Sequence, residues 1–507
     1  MNNAAQTRSP VEGRVSTGIA GLDDILGGGF PANRLYLIEG APGTGKTTLA
    51  LQFLLAGREC GERGLYVTLS ESEEELRLAA ATHGWSLDGL DLFQLIGDTV
   101  LDPEAEQTIL HPSELELGET SRGVMAMVDA CNPVRVVFDS LSEMRLLAQN
   151  PLRYRRQILA LKQFFAQHRC TVLLLDDKTS EAADLQLHSI AHGVVTLEQA
   201  ALDFGSERRR LRVVKLRGSA FRGGFHDVTI RTGGLLVHPR LIAAEHHAAF
   251  SDKPVSSGIA GLDNLMGGGL IPGTNTLLVG PSGIGKTSTA TCCLHAALRR
   301  GEKAALFLFD EGIGTLLSRS AGLGLDLRPH MDAGTLTVRN IDPAELSPGE
   351  FAAGIRRSVE SDGARCVVID SLNAYLHSMP GEKFLVLQMH ELLSYLNQSG
   401  VVTLVILGQH GLIGDMRSGA DLSYLADSIL LMRFFEAAGE MRKAISVVKT
   451  RTADHERSIR EFRVGPRGIR VGARLFDFQG VLTGMPAWRG DVGRLLPAGI
   501  ERDEFGA

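Results

Sequence analysis

The sequence predicts an α/β protein: two tandem domains, each a mostly parallel sheet flanked by helices. Three observations carry that expectation. The chain has 507 residues, more than the roughly 250–300 that one hydrophobic core serves, which favours two or more domains. Residues 15–46 read VSTGIAGLDDILGGGFPANRLYLIEGAPGTGK and residues 255–286 read VSSGIAGLDNLMGGGLIPGTNTLLVGPSGIGK, an alignment without a gap. The copies are offset by 240 residues (255 − 15), a period too long for a solenoid unit, so this is a duplicated domain. Within each copy short apolar runs alternate with helical segments, the pattern of βαβ units.

In chain order, residues 35–39 and 276–279 form buried strands leading into glycine-rich turns, and residues 47–58 and 287–299 form the helices that follow. Further apolar strands fall at 65–69, 134–138 and 171–175 in the first copy, and at 304–309, 367–369 and 402–407 in the second. The stretch 153–168 is amphipathic and is expected to pack Ile158, Leu159, Leu161, Phe164 and Phe165 against a core. The duplication continues to VRVVFDSLSEM (134–144) against ARCVVIDSLNAY (364–375), and LRVVKLRGS (211–219) against ISVVKTRTA (445–453). The expected organisation is a tail at 1–14, domains at 15–240 and 255–485, a linker at 241–254 and a second tail at 486–507.

Composition narrows the function. With 44% hydrophobic and 22% charged residues, the chain is not mainly disordered. Abundant glycine (58 residues) and few aromatics (6%) suit tight strand–helix turns. A net charge of −7 weighs against a nucleic-acid binder, although 207–212 (ERRRLR) is a local basic run. The polar start lacks the apolar core of a secretory signal, and the longest apolar run, 401–407, is far short of the ~20 residues that span a bilayer. The six cysteines form no C-x-x-C pair. A cytoplasmic protein without a membrane partner is expected. His188 and His192 are four apart, but no third ligand stands near them, so a surface pair is expected rather than a metal site.

The chemistry lies in two phosphate cradles. Gly40-Ala41-Pro42-Gly43-Thr44-Gly45-Lys46-Thr47 and Gly280-Pro281-Ser282-Gly283-Ile284-Gly285-Lys286-Thr287 both fit G-x-x-x-x-G-K-[ST], each between an apolar strand and a helix. Such a loop wraps its N–H groups around a phosphate at a positive helix end. Lys46 and Lys286 are expected to reach the β- and γ-phosphates of ATP, and Thr47 and Thr287 to hold Mg²⁺. Thr48 and Ser288 complete the binding segments. Asp139 and Asp370, each at the end of an apolar strand and before Ser-Leu, are the expected acids of the Mg²⁺ site. Glu71 and Glu311, at matching strand ends, are the candidate bases. The pairs Lys215/Arg217 and Lys449/Arg451 recur in both copies, as expected of groups that neutralise a γ-phosphate from an adjacent subunit.

Together these motifs resemble the KaiC family, tandem RecA-like P-loop ATPases. The resemblance spans about residues 15–484. It implies a homo-hexameric double ring with ATP at subunit interfaces, an N-terminal ATPase ring and a C-terminal serine/threonine autokinase ring. It places Asp310 beside Glu311 as a catalytic acid pair, and Lys215, Leu216, Arg217, Lys449 and Arg451 against a neighbour's nucleotide. The family's adjacent phosphosites fall on Ser423-Tyr424, which leaves Ser423 as the acceptor. The family's glutamate pair is Ser70-Glu71 in the first domain and Asp310-Glu311 in the second. KaiB-like or other signalling proteins are the implied partners. The alternatives are an ATP-switched binding hub and a RecA-type ATPase acting on DNA.

Overall fold

The computed structural model describes residues 13–95, 112–148, 150–178, 185–201, 205–377, 384–409, 423–437, 439–452, 454–482 and 487–488, with backbone alone at 112–117, 185–186, 377, 423 and 487–488. The chain divides into two compact units, Met1–Arg240 and Leu241–Ala507.

The first unit is built on a nine-stranded sheet. Its order is Asp91–Gln94, Gly64–Thr68, Arg135–Asp139, Thr171–Asp177, Leu35–Gly40, Gly193–Ala200, Arg208–Leu216, His226–Arg231, Gly234–His238. The first six strands run parallel, and the last three add as antiparallel hairpin partners. The second unit repeats this order: Leu336–Asn340, Lys303–Leu308, Ala364–Asp370, Val402–Gly408, Asn275–Gly280, Ser428–Ala437, Glu440–Thr450, Arg460–Gly465, Gly468–Arg474. The central strands are continuous apolar runs because helices cover both faces, so neither face can be polar. Tyr36, Ile38 and Val195 pack on one face with Leu49, Phe53 and Leu54 of the helix Lys46–Glu59. Leu35, Leu37 and Val172 pack on the other with Ile158, Leu161 and Phe165 of the helix Pro151–Gln167. Leu159, expected on the buried face of that helix, is 43% exposed, because one residue past Ile158 the helix has turned away from the sheet.

Local signals place the other elements. Ser72 and Glu75 form a reciprocal capping box that starts the helix Glu73–Thr82. The segment 241–254 packs on the second unit: Ala243 is buried, and the Ala248 N–H donates to the Gln398 carbonyl. Five of the six cysteines are buried and Cys60 is exposed. Among the described residues no helix is long and apolar enough to cross a membrane.

Candidate nucleotide sites

In an open α/β sheet, ligands gather at the carboxyl ends of the strands where the strand order reverses. Both P-loops stand there. The strand Leu35–Gly40 lies between Thr171–Asp177 and Gly193–Ala200, and its last residue opens the first loop. Gly45 caps the following helix at φ 100°, and Gly285 does so at φ 117°, a conformation that favours glycine. A Cβ at Gly45 would also lie 2.7 Å from Ile230 Cδ1.

In the first domain Lys46 Nζ donates to the Gly40 carbonyl at 2.8 Å and the Ala41 carbonyl at 3.0 Å. It also pairs with Asp177 Oδ1 at 2.7 Å. Thr47 Oγ1 is 3.5 Å from Asp139 Oδ2, which accepts from the Tyr66 hydroxyl at 2.5 Å. Burial raises the Glu71 carboxyl above its ordinary value, and the charges of Asp139, Glu75 and Asp177 push it further.

The second site is a cavity of about 630 Å³ whose wall includes Lys286, Thr287, Asp310, Glu311 and Asp370. Lys286 Nζ donates to the Gly280 and Pro281 carbonyls at 2.9 and 2.8 Å. Burial lowers its pKa, with Asp370 opposing. Thr287 Oγ1 donates to Asp370 Oδ2 at 2.7 Å, and Ser371 Oγ donates to Asp310 Oδ2 at 2.8 Å. Arg319 Nη1 meets Glu311 Oε1 at 2.6 Å. A buried ammonium beside glycine-rich backbone suits a phosphate anion, and the Thr–Asp pair supplies the hard oxygens that Mg²⁺ prefers. Ser288 lines the cavity, whereas the Ile284 side chain is in the core, so its backbone alone can serve a ligand.

The Lys-x-Arg pairs lie elsewhere. Lys215 Nζ donates to the His188 carbonyl and Arg217 Nη2 to the Ser189 carbonyl at 2.5 Å, at the end of the short helix Leu185–Ile190. Leu216 is buried in its own core. In the second domain Lys449 Nζ donates to the Ala426 carbonyl at 2.7 Å and Arg451 Nη2 to the Tyr424 carbonyl at 3.1 Å. Tyr424 lies within the 3₁₀ turn Ser423–Leu425 and Ala426 follows it. The Ser423 side chain lies outside the described residues.

Other candidates resolve into local roles. His188 Nε2 lies 2.8 Å from Glu39 Oε2, and no group of three metal-ligating side chains occurs among the described residues. The basic run folds back on its own domain. Arg209 pairs with Glu207 at 2.8 Å and Arg210 with Glu198 at 3.3 Å, while Arg210 and Arg212 stack on Phe225.

Three residues at these sites escaped the sequence reading. Asp177 ends a strand as Asp139 does, but the position facing Gly280 in the other copy is Gly408, so no repeat pointed to it. Tyr66 reads as an ordinary strand aromatic, and Arg319 as a solvent-facing helix residue.

The two buried strand-end acids predict a pH effect. Burial is the main cause that raises Asp139 and Asp370 above the ordinary 3.8; Asp177 adds to it at Asp139, and Glu311 and Asp310 add to it at Asp370. Hydrogen bonds from Tyr66 and Thr47, or from Thr287, oppose it, as do Lys46 and Arg319. A raised folded-state pKa means the native protein holds extra protons between the ordinary and raised values, so these acids contribute stability that is lost as pH rises through the raised pKa. Binding of Mg²⁺ at these acids would need the ionised form and would run the opposite way. The Mg²⁺ concentration giving half-maximal ATP turnover is therefore expected to climb as pH falls through that window. A flat titration across it would count against these ligands.

Comparison with known proteins finds a model of the KaiC ATPase family matching residues 15–242 and 255–475. The chain is 27% identical over 484 residues to the circadian clock oscillator protein KaiC of Acaryochloris marina, covering 93% of this chain and 91% of that protein. It is 27% identical over 481 residues to the circadian clock protein KaiC3 of a Synechocystis strain, covering 94% and 95%. It is 26% identical over 487 residues to the KaiC of a Picosynechococcus strain, covering 93% and 92%.

Proposed function

Since this chain belongs to the KaiC family of ATPases, we propose that it hydrolyses ATP at both P-loops and that its second domain also phosphorylates Ser423 of a neighbouring copy. The observation that carries the reading is the grouping of Lys286, Thr287, Asp370, Asp310 and Glu311 around one cavity. Gly40, Gly43, Thr44, Gly45, Lys46 and Thr48 cradle the phosphates in the first domain. Gly280, Gly283, Ile284, Gly285, Lys286 and Ser288 do so in the second. Thr47 with Asp139, and Thr287 with Asp370, hold Mg²⁺, which when bound neutralises phosphate charge. Glu71 orients the attacking water in the first domain. In the second, Glu311 with Asp310 accepts the proton of water or of the Ser423 hydroxyl. Ser423 Oγ then bonds to Pγ, the bond from Pγ to the β,γ-bridging oxygen breaks, and ADP leaves.

The trans element has its own support. Arg451 donates to the turn that carries Ser423 and Lys449 to the residue just after it, so acceptor segment and cations travel as one unit. In a hexamer, Lys215, Leu216 and Arg217, and Lys449 and Arg451, would complete the site of the next copy. The names of the relatives favour a clock-like role; in this reading the partners are KaiB-like or other signalling proteins.

Mass spectrometry after incubation with ATP and Mg²⁺ tests the kinase part. One added phosphate is expected on Ser423, and it should vanish in Ser423→Ala. ATP turnover without any phosphorylated residue would instead favour the ATP-switched hub.

A further inference from the structure

The second cavity holds a cation that neither the P-loop nor the acid pair explains. Arg319 stands on the helix Ile313–Gly322 and lines the cavity with Lys286, Glu311 and Asp370. One of its nitrogens, Nη1, is engaged by Glu311. Its Nε and Nη2 are buried and meet no acceptor among the described residues. A guanidinium presents five donors in a planar fork, and a buried donor left without an acceptor is costly. Arg319 thus lines the cavity while two of its nitrogens, buried beside it, lack an acceptor. Among the described residues the first site shows no such group. The repeat puts Ala79 at this position, and its P-loop lysine is held by Asp177.

We propose that Arg319 binds the terminal phosphate of the nucleotide in the second site and trades Glu311 for it. The inference rests on the ATP reading above and deepens it. A carboxylate and a γ-phosphate compete for the same guanidinium. The phosphate carries more charge and three acceptor oxygens, so it can engage Nη1 and, as the side chain leaves Glu311 and turns toward it, the unmet Nε–Nη2 edge as well. Once the phosphate is bound, Glu311 is released to receive a proton from the attacking group. When ADP remains, no terminal phosphate holds Arg319, and the Arg319–Glu311 pair re-forms. The second site thereby distinguishes ATP from ADP with a residue of its own chain, and the first site lacks that residue.

The test uses the full chain carrying Lys46→Ala, so that binding reports on the second site. Affinities for ADP and for the non-hydrolysable β,γ-imido analogue of ATP are measured by calorimetry in this parent and in three variants. Arg319→Gln is expected to weaken the analogue about tenfold or more, as loss of a charged hydrogen bond does, and ADP by less than about twofold. Arg319→Lys should recover part of that difference. Glu311→Gln, which removes the competitor and keeps the arginine, should tighten the analogue relative to ADP, a result that misfolding cannot produce. Equal weakening of both nucleotides by Arg319→Gln, or no weakening, overturns the role of Arg319 and leaves the site standing. So does a looser analogue in Glu311→Gln. A parent that binds neither nucleotide overturns the ATP reading and this inference together.

Discussion

Lys286→Ala is expected to lower ATP turnover at the second site by about 10²–10³-fold, the cost of removing one preorganised charge donor from a developing anion. Lys286 Nζ is already fixed by the Gly280 and Pro281 carbonyls, so it needs little reorganisation when a phosphate arrives. Lys46→Ala should be at least as damaging at the first site, for an additional reason. Lys46 neutralises Asp177, and its loss leaves that carboxylate facing the incoming phosphates. Asp177→Asn in the Lys46→Ala chain should therefore recover part of the lost nucleotide affinity. Steady-state turnover and nucleotide titration of the single and paired variants check both statements. Turnover that survives in the chain carrying both lysine changes would place the chemistry elsewhere.

The second large effect concerns stability. Arg135 is 2% exposed on a central strand, yet it is charged. It pairs with Glu62 at 2.5 Å, donates to the Ser16 and Phe53 carbonyls at 2.8 and 2.7 Å, and lies over the Phe53 ring. Gly57 makes room for it, since a Cβ there would come within 2.5 Å of Arg135 Nε. The arginine is buried although Glu62 is 30% exposed, so removing it leaves a cavity and a buried Phe53 carbonyl without its donor, together about 3–5 kcal/mol. Arg135→Ala is expected to destabilise the first domain by that amount. Trp85 packs against this core, so its fluorescence in a Trp488→Phe background follows the transition in denaturant. In the second domain Cys366 stands in the strand at the matching position. The matching glutamate and serine, Glu302 and Ser256, are served instead by Arg300 from a helix end. That pair is partly solvated, so Arg300→Ala should cost no more than about 1 kcal/mol. Equal losses from the two substitutions would refute the contrast.

The Arg135–Cys366 exchange shows where linear reading stops. The strands, the helices after the P-loops and the acids Asp139 and Asp370 were legible, because period, glycine spacing and duplication all act along the chain. The duplication even showed which residues to compare. It could not show that an arginine lost from a strand is replaced by one on a helix, since the two positions are far apart in sequence and adjacent only after folding. Asp177 and Arg319 were missed for the same reason: neither has a counterpart in the other copy, and each is identified only by what it touches.

By itself, the sequence determined that this is a duplicated P-loop protein whose two copies carry the same loops, the same strand-end acids and the same Lys-x-Arg pairs. Those features are local: a loop that cradles phosphate needs its glycines and lysine at fixed spacing, and any chain with that spacing announces it. The sequence already set Ser70-Glu71 against Asp310-Glu311, but only the tertiary structure decided how the charges of the two sites are partnered. The first lysine is held by Asp177, and the second site instead has Arg319 holding Glu311. A charge's partner depends on distance in space, and side chains remote along the chain come within 3 Å of one another only when the sheet and its covering helices close around the strand ends.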